Sequence, residues 1–125
     1  DIGGISYHEF QHATSSSTDV CARMIEDLGP ENKVLLLPNH GAITIGDTIH
    51  EAFYLTYELV EACKVQIMTQ SCANSQTGYS VVDEQIVDET YRIVQNNYTG
   101  NEFGKLEWDA VKRKMEAQQG TDYKQ

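Results

Sequence analysis

Apolar residues along the chain fall into separated groups, and the spacing within each group predicts an element. Val34-Leu35-Leu36-Leu37 is continuous, breaks at Pro38-Asn39-His40-Gly41, and resumes as Ala42-Ile43-Thr44-Ile45 before Gly46. Proline cannot donate to a central ladder, and Pro and Gly punctuate turns, so this stretch predicts strand, tight turn, strand. Upstream, Ile5, Tyr7 and Glu9 alternate with their neighbours and predict a short strand or extended loop. Between them, Val20, Met24 and Leu28 recur every four residues with Cys21 and Ile25 beside them, one buried helical stripe. Ser17 or Thr18 can cap that helix, and Gly29-Pro30 stops it.

Downstream, Thr48-Ile49-His50-Glu51 has the spacing of a capping box, in which Thr48 caps and Glu51 reaches back. The helix it opens predicts a run to about Gln70. Ile49, Ala52, Phe53, Thr56, Val60, Cys63 and Ile67 make its stripe, and Leu55, Leu59 and Ala62 widen it. So broad a surface implies a sheet on one side and another element or subunit on the other. Residues 71–80 read as a loop. A helix over residues 83–98 follows, with Val87, Tyr91, Val94 and Tyr98 on one face, ended by Thr99-Gly100-Asn101. The last helix spans residues 105–115 with Trp108, Val111 and Met115 on its apolar edge, and residues from Gly120 onward read as a tail.

Composition narrows the picture. A length of 125 residues suits one domain, and neither a secretory signal nor a membrane-length apolar run is present. A formal net charge of −10 disfavours nonspecific binding to nucleic acid or anionic lipid. Cys21, Cys63 and Cys72 show no Cys-x-x-Cys spacing, which argues against a disulfide framework or structural zinc and for a reducing, cytoplasmic setting. Without a secretory signal, Asn97-Tyr98-Thr99 is a chance match to the glycosylation sequon.

Few residues carry candidate chemistry. His40 stands at the turn, where an imidazole can titrate or ligate a metal near neutral pH, or simply be solvated. His8 and His12 have the spacing of paired ligands on a helix, but no helical apolar pattern surrounds them, so two loop histidines are the favoured reading. His50 reads as an exposed first-turn residue. Asp83, Glu84, Asp88 and Glu89 suit the N-terminal half of a helix, and Lys112, Arg113 and Lys114 suit a helix C-terminus, so neither cluster requires a ligand.

Asn39-His40-Gly41, Gly46, Glu51-Ala52-Phe53-Tyr54, Ala62-Cys63 and Gln66 together resemble the class II aldolase/adducin family, and within it the adducin head domain. Asp1-Ile2-Gly3-Gly4-Ile5-Ser6-Tyr7 and Gly104-Lys105-Leu106-Glu107-Trp108 are similar to flanking parts of the same domain. The resemblance implies an α/β fold: residues 1–118 as the C-terminal half of an α/β/α sandwich with a mostly antiparallel sheet, and 119–125 as a tail. An opening on Asp1 rather than Met fits either a processed or trimmed product or a piece of a longer protein.

In the family's enzymes a catalytic zinc is held by an upstream His-x-His pair and by the turn histidine, which His40 matches. Tyr7 matches a tyrosine that serves those enzymes as a proton donor, although Ser6-Tyr7-His8-Glu9-Phe10 departs from the enzymatic pattern. Tyr123 is a further C-terminal tyrosine that no motif anchors. A lone His40 cannot assemble a zinc site, which needs three or four ligands, so no zinc is expected on this chain alone and zinc only in the intact domain.

Two functions follow from the resemblance. One is a non-catalytic cytoskeletal scaffold head that self-associates and is linked to actin and spectrin. The other is part of a zinc-dependent aldolase or epimerase acting on a small sugar phosphate. The expected partner is a second copy or the rest of the domain, and Phe53, Leu55, Leu59, Val60 and Ile67 are the candidate contacts.

Overall fold

In the computed structural model, the residues described are 4–9, 17–72, 78–97 and 102–121. They form an α/β arrangement of four helices and a three-stranded sheet: β1 (Ile5–Tyr7), α1 (Ser17–Leu28), β2 (Val34–Leu37), β3 (Gly41–Thr44), α2 (Ile49–Cys72), α3 (Glu84–Asn97) and α4 (Lys105–Gln119). The strand order is β1-β2-β3. β1 runs parallel to β2, with Tyr7 level with Leu36, and β2 runs antiparallel to β3, with Val34 opposite Thr44. Among the described residues the sheet is therefore mixed, where the resemblance implied a mostly antiparallel one.

A parallel pair needs a crossover, and α1 supplies it between β1 and β2. The antiparallel pair needs only a turn. There the His40 N–H donates to the Leu37 carbonyl at 2.9 Å, with Pro38 first and Asn39 second of the central residues. Asn39 has φ 69°, and proline followed by a residue of positive φ is the signature of a type II turn. The predicted hairpin forms because its turn chemistry is complete within four residues.

Alternation along the strands sends successive side chains to opposite faces. Ser6 Oγ donates to the Leu28 carbonyl at 3.1 Å, and His8 Nδ1 lies 2.6 Å from Asp27 Oδ2, so that face meets α1. Thr44 Oγ1 donates to the Ala52 carbonyl at 3.1 Å, so the opposite face meets α2. Central β2 is covered from both sides, and Val34 and Leu35 are 5% and 2% exposed. Leu55 of α2 and Phe103 complete the small core.

α2 opens on a variant of the predicted capping box. The Glu51 N–H donates to Thr48 Oγ1 at 3.2 Å, and the Glu51 carboxylate accepts from the Asp47 N–H at 2.7 Å, one residue earlier than the standard box. Lys33, just before β2, pairs with the same carboxylate, tying the hairpin to the helix. Gly46 fits this junction because a Cβ there would lie 2.6 Å from the Ala52 backbone nitrogen. α4 docks back onto α2 through Phe53 and Trp108, whose rings meet edge to face at 5.1 Å. Tyr54 and Phe103 make a second such pair at 5.1 Å. Gly104 sits at φ 73°, with a hypothetical Cβ 2.5 Å from Tyr54 Cβ, so this approach excludes a side chain.

Several stripes are narrower than their sequence suggests. On α1, Val20, Met24 and Leu28 are partly buried, but Cys21 is exposed and Ile25 is 71% exposed. On α2, Leu55 is buried, whereas Ile49, Val60 and Ile67 are 67%, 47% and 63% exposed. α1 begins at Ser17, which places Thr18 inside the first turn rather than at a cap, and α4 continues past Met115 to Gln119. α3 is capped by Asp83, whose Oδ1 accepts from the Gln85 N–H at 2.9 Å. Among the described residues, no helix is long and apolar enough to cross a membrane.

Candidate functional site

Because β1 and β2 are parallel, their C-terminal ends lie at the same end of the sheet. That end carries Tyr7, level with Leu36, and the turn holding His40 just beyond Leu37. Tyr7 is 69% exposed and His40 is exposed, so the two candidate residues share a solvent-facing edge. The sequence offered both residues, but only the parallel register groups them.

His8 follows Tyr7 on the opposite strand face and behaves differently. It is 6% exposed, its N–H donates to the Leu36 carbonyl at 2.9 Å, and its imidazole pairs with Asp27 of α1. Through Nδ1 and that carboxylate His8 ties β1 to α1. His12 and Tyr123 lie outside the described residues. His50, expected to be exposed, is half-buried, and its carbonyl lies where a side chain on Gly104 would fall.

Among the described residues, no three His, Cys, Asp or Glu side chains gather closely enough to hold a metal ion. His40 supplies one imidazole, and zinc needs three protein ligands even in an open catalytic site. The described residues alone therefore do not fit zinc. Cys21, Cys63 and Cys72 are all exposed free thiols on separate helical positions.

Another charged cluster among the described residues lies on α4. Lys105 Nζ and Lys112 Nζ lie 2.6 and 2.8 Å from the two oxygens of Asp109. Hydrogen bonds from Lys105 and then Lys112 hold the Asp109 carboxyl down at about 2, and the same bond raises Lys105 above its ordinary value. Lys112 also stands 6.0 Å from the Trp108 ring centroid. This cluster staples the helix at i,i+3 and i,i+4 spacing, and it accounts for Lys112 without a ligand.

The Pro38–Gly41 turn at the end of the sheet leads through β3 into the capped start of α2. Residues 1–67 match the Class II Aldolase and Adducin N-terminal domain, and the chain belongs to that family. It is 31% identical to rat beta-adducin over 85% of its own length and 14% of that protein's. It is 33% identical to a Pseudomonas aeruginosa protein whose name places it in aldolase class 2, over 99% of this chain and 46% of that one. A crystal structure of an aldolase II superfamily protein from Pseudomonas syringae superposes with TM-score 0.76 at 23% identity, covering 93% of this chain and 44% of the other. The chain thus spans less than half the length of each of these relatives.

Proposed function

We propose that this chain is the C-terminal half, residues 1–118, of an adducin-like head domain, a cytoplasmic self-associating scaffold element linked to actin and spectrin. The observation that carries the reading is residue-level similarity to mammalian adducins, which includes 33% identity to mouse alpha-adducin over 66% of the chain. In this reading the mixed three-stranded sheet is one end of a larger, mostly antiparallel α/β/α sandwich. Its exposed edges are completed by the rest of the domain or by another copy. Neither nucleic acid nor membrane insertion enters the reading.

The second reading is a zinc-dependent aldolase or epimerase acting on a small sugar phosphate. It is favoured by the Pseudomonas aeruginosa relative, which aligns over nearly the whole chain. In that case His40 ligates zinc together with residues outside this chain, and Tyr7 serves as proton donor.

Elemental analysis of the intact protein separates the two. The scaffold reading expects no stoichiometric zinc, together with co-sedimentation with actin filaments. One zinc per chain, lost on His40→Ala, overturns it in favour of the enzyme.

A further inference from the structure

Four described serine or threonine hydroxyls are followed by a carboxylate three residues later: Ser6 by Glu9, Thr44 by Asp47, Thr48 by Glu51 and Ser80 by Asp83. The fold sets three of them aside. Ser6 lies in β1 and donates to the Leu28 carbonyl, Thr44 lies in β3 and donates to the Ala52 carbonyl, and Thr48 accepts the Glu51 N–H that opens α2. Ser80 differs. It stands in residues 78–83, which are neither helix nor strand and are exposed throughout, and this run ends on Asp83 just before α3.

We propose that Ser80 is a phosphorylation site for an acid-directed serine/threonine protein kinase. An exposed, irregular backbone can be drawn into a kinase cleft without undoing a helix or a strand. Charge sets the direction in which it is read. Positions 65–82 carry no Asp, Glu, Lys, Arg or His, whereas positions 83–91 add Asp83, Glu84, Asp88 and Glu89 and no cation. A basic substrate groove is therefore attracted on the C-terminal side of Ser80 and repelled by nothing on the other. In the transfer, Ser80 Oγ attacks the γ-phosphorus of a nucleoside triphosphate. The Oγ–P bond forms, the bond from that phosphorus to the bridging oxygen breaks, the nucleoside diphosphate leaves, and the hydroxyl proton passes to the kinase's carboxylate base.

The product alters the end of α2. Ser80 lines an open groove with Gln66, Thr69 and Gln70, close to the C-terminal end of that helix. A phosphate of about −1.5 to −2 charge meets no cation among the groove residues and sits beside the negative end of a helix dipole. Asp83 and Glu84 follow it in sequence. Like charge drives residues 79–81 away from α2, so modification loosens the last turns of the helix.

The test uses the intact protein with magnesium ATP and either an acid-directed or a base-directed serine/threonine kinase, read by intact mass and peptide mapping. The expected result is one phosphoryl group on Ser80 from the acid-directed enzyme, absent in Ser80→Ala. Asp83→Asn combined with Glu84→Gln slows incorporation by about tenfold, because the steering charge is lost while asparagine still caps α3. In the modified protein the amides of the last α2 turns exchange faster by about threefold or more, and those of β2 do not change. Absence of label on Ser80 in the folded protein overturns the proposal, whether or not a free peptide of residues 76–86 accepts it. Label on Thr44 or Thr48 instead, or incorporation indifferent to the two acids, overturns it equally. Unchanged exchange in α2 after full modification overturns the loosening. The proposal stands apart from both readings of function, since none of these outcomes bears on zinc or actin.

Discussion

The two halves of α2 are alike in sequence and opposite in fate. From Ile49 to about Glu61 the helix lies against β3 and α4, with Leu55 3% exposed and Phe53 against Trp108. From Ala62 to Cys72 every residue is exposed, including Val65, Ile67 and Met68. Apolar content does not distinguish the halves; what the chain brings alongside does. A stripe in sequence identifies a surface that can be buried, and topology decides whether it is.

The comparison is broken most severely at the packed half. Leu55→Ala is expected to cost about 2–5 kcal/mol, because it removes a buried side chain and leaves a cavity. Chemical denaturation followed by Trp108 fluorescence measures it. A loss below about 1 kcal/mol, well under the usual range for such sites, would mean that the first half of α2 is no better packed than the second. Thr48→Ala is expected to cost about 1 kcal/mol through the lost cap on the Glu51 N–H, read by the same denaturation.

Acid sharpens the comparison from the α4 side. The Asp109 carboxyl is held at about 2 against an ordinary 3.8, so the folded state binds fewer protons than the unfolded state in that interval. Its contribution is fully present above pH 3.8 and is lost as pH falls through about 2. Trp108 fluorescence titrated over this range should report the loosening of α4, and Asp109→Asn should flatten that part of the curve. The smallest effect belongs to the bare half. In dilute solution Ile67→Ala should change stability by less than about 0.5 kcal/mol, the range for exposed positions away from special features.

Legibility in the sequence followed the range of the interaction. The Pro38–Gly41 turn, the Thr48 cap and the limits of α2 and α3 were readable because their determinants lie within a few neighbouring residues. The His8–Asp27 tie was not, since it joins residues nineteen apart in sequence through the packing of α1 on β1. Phe103 was also missed: it lies in a short polar stretch, and burial against Tyr54 makes it core. A Phe-Gly pair just ahead of a helix was the available signal. At the candidate site, His40 was placed correctly at a turn, but its grouping with Tyr7 depends on a parallel register that periodicity does not encode.

The mixed sheet also sets an order in time. β2 and β3 join through a three-residue turn, whereas β1 reaches β2 only after the whole α1 crossover has been closed. Longer loops cost more closure entropy, and nonlocal pairings are the slower ones. The hairpin and the capped start of α2 are therefore expected to acquire protected amides first during refolding. The amide of His8, donated to Leu36, should follow them in pulsed hydrogen exchange. Simultaneous protection would show that the crossover helix forms before either strand pairing. By this account the edge carrying Tyr7 is the last part of the sheet to be built and the first to open.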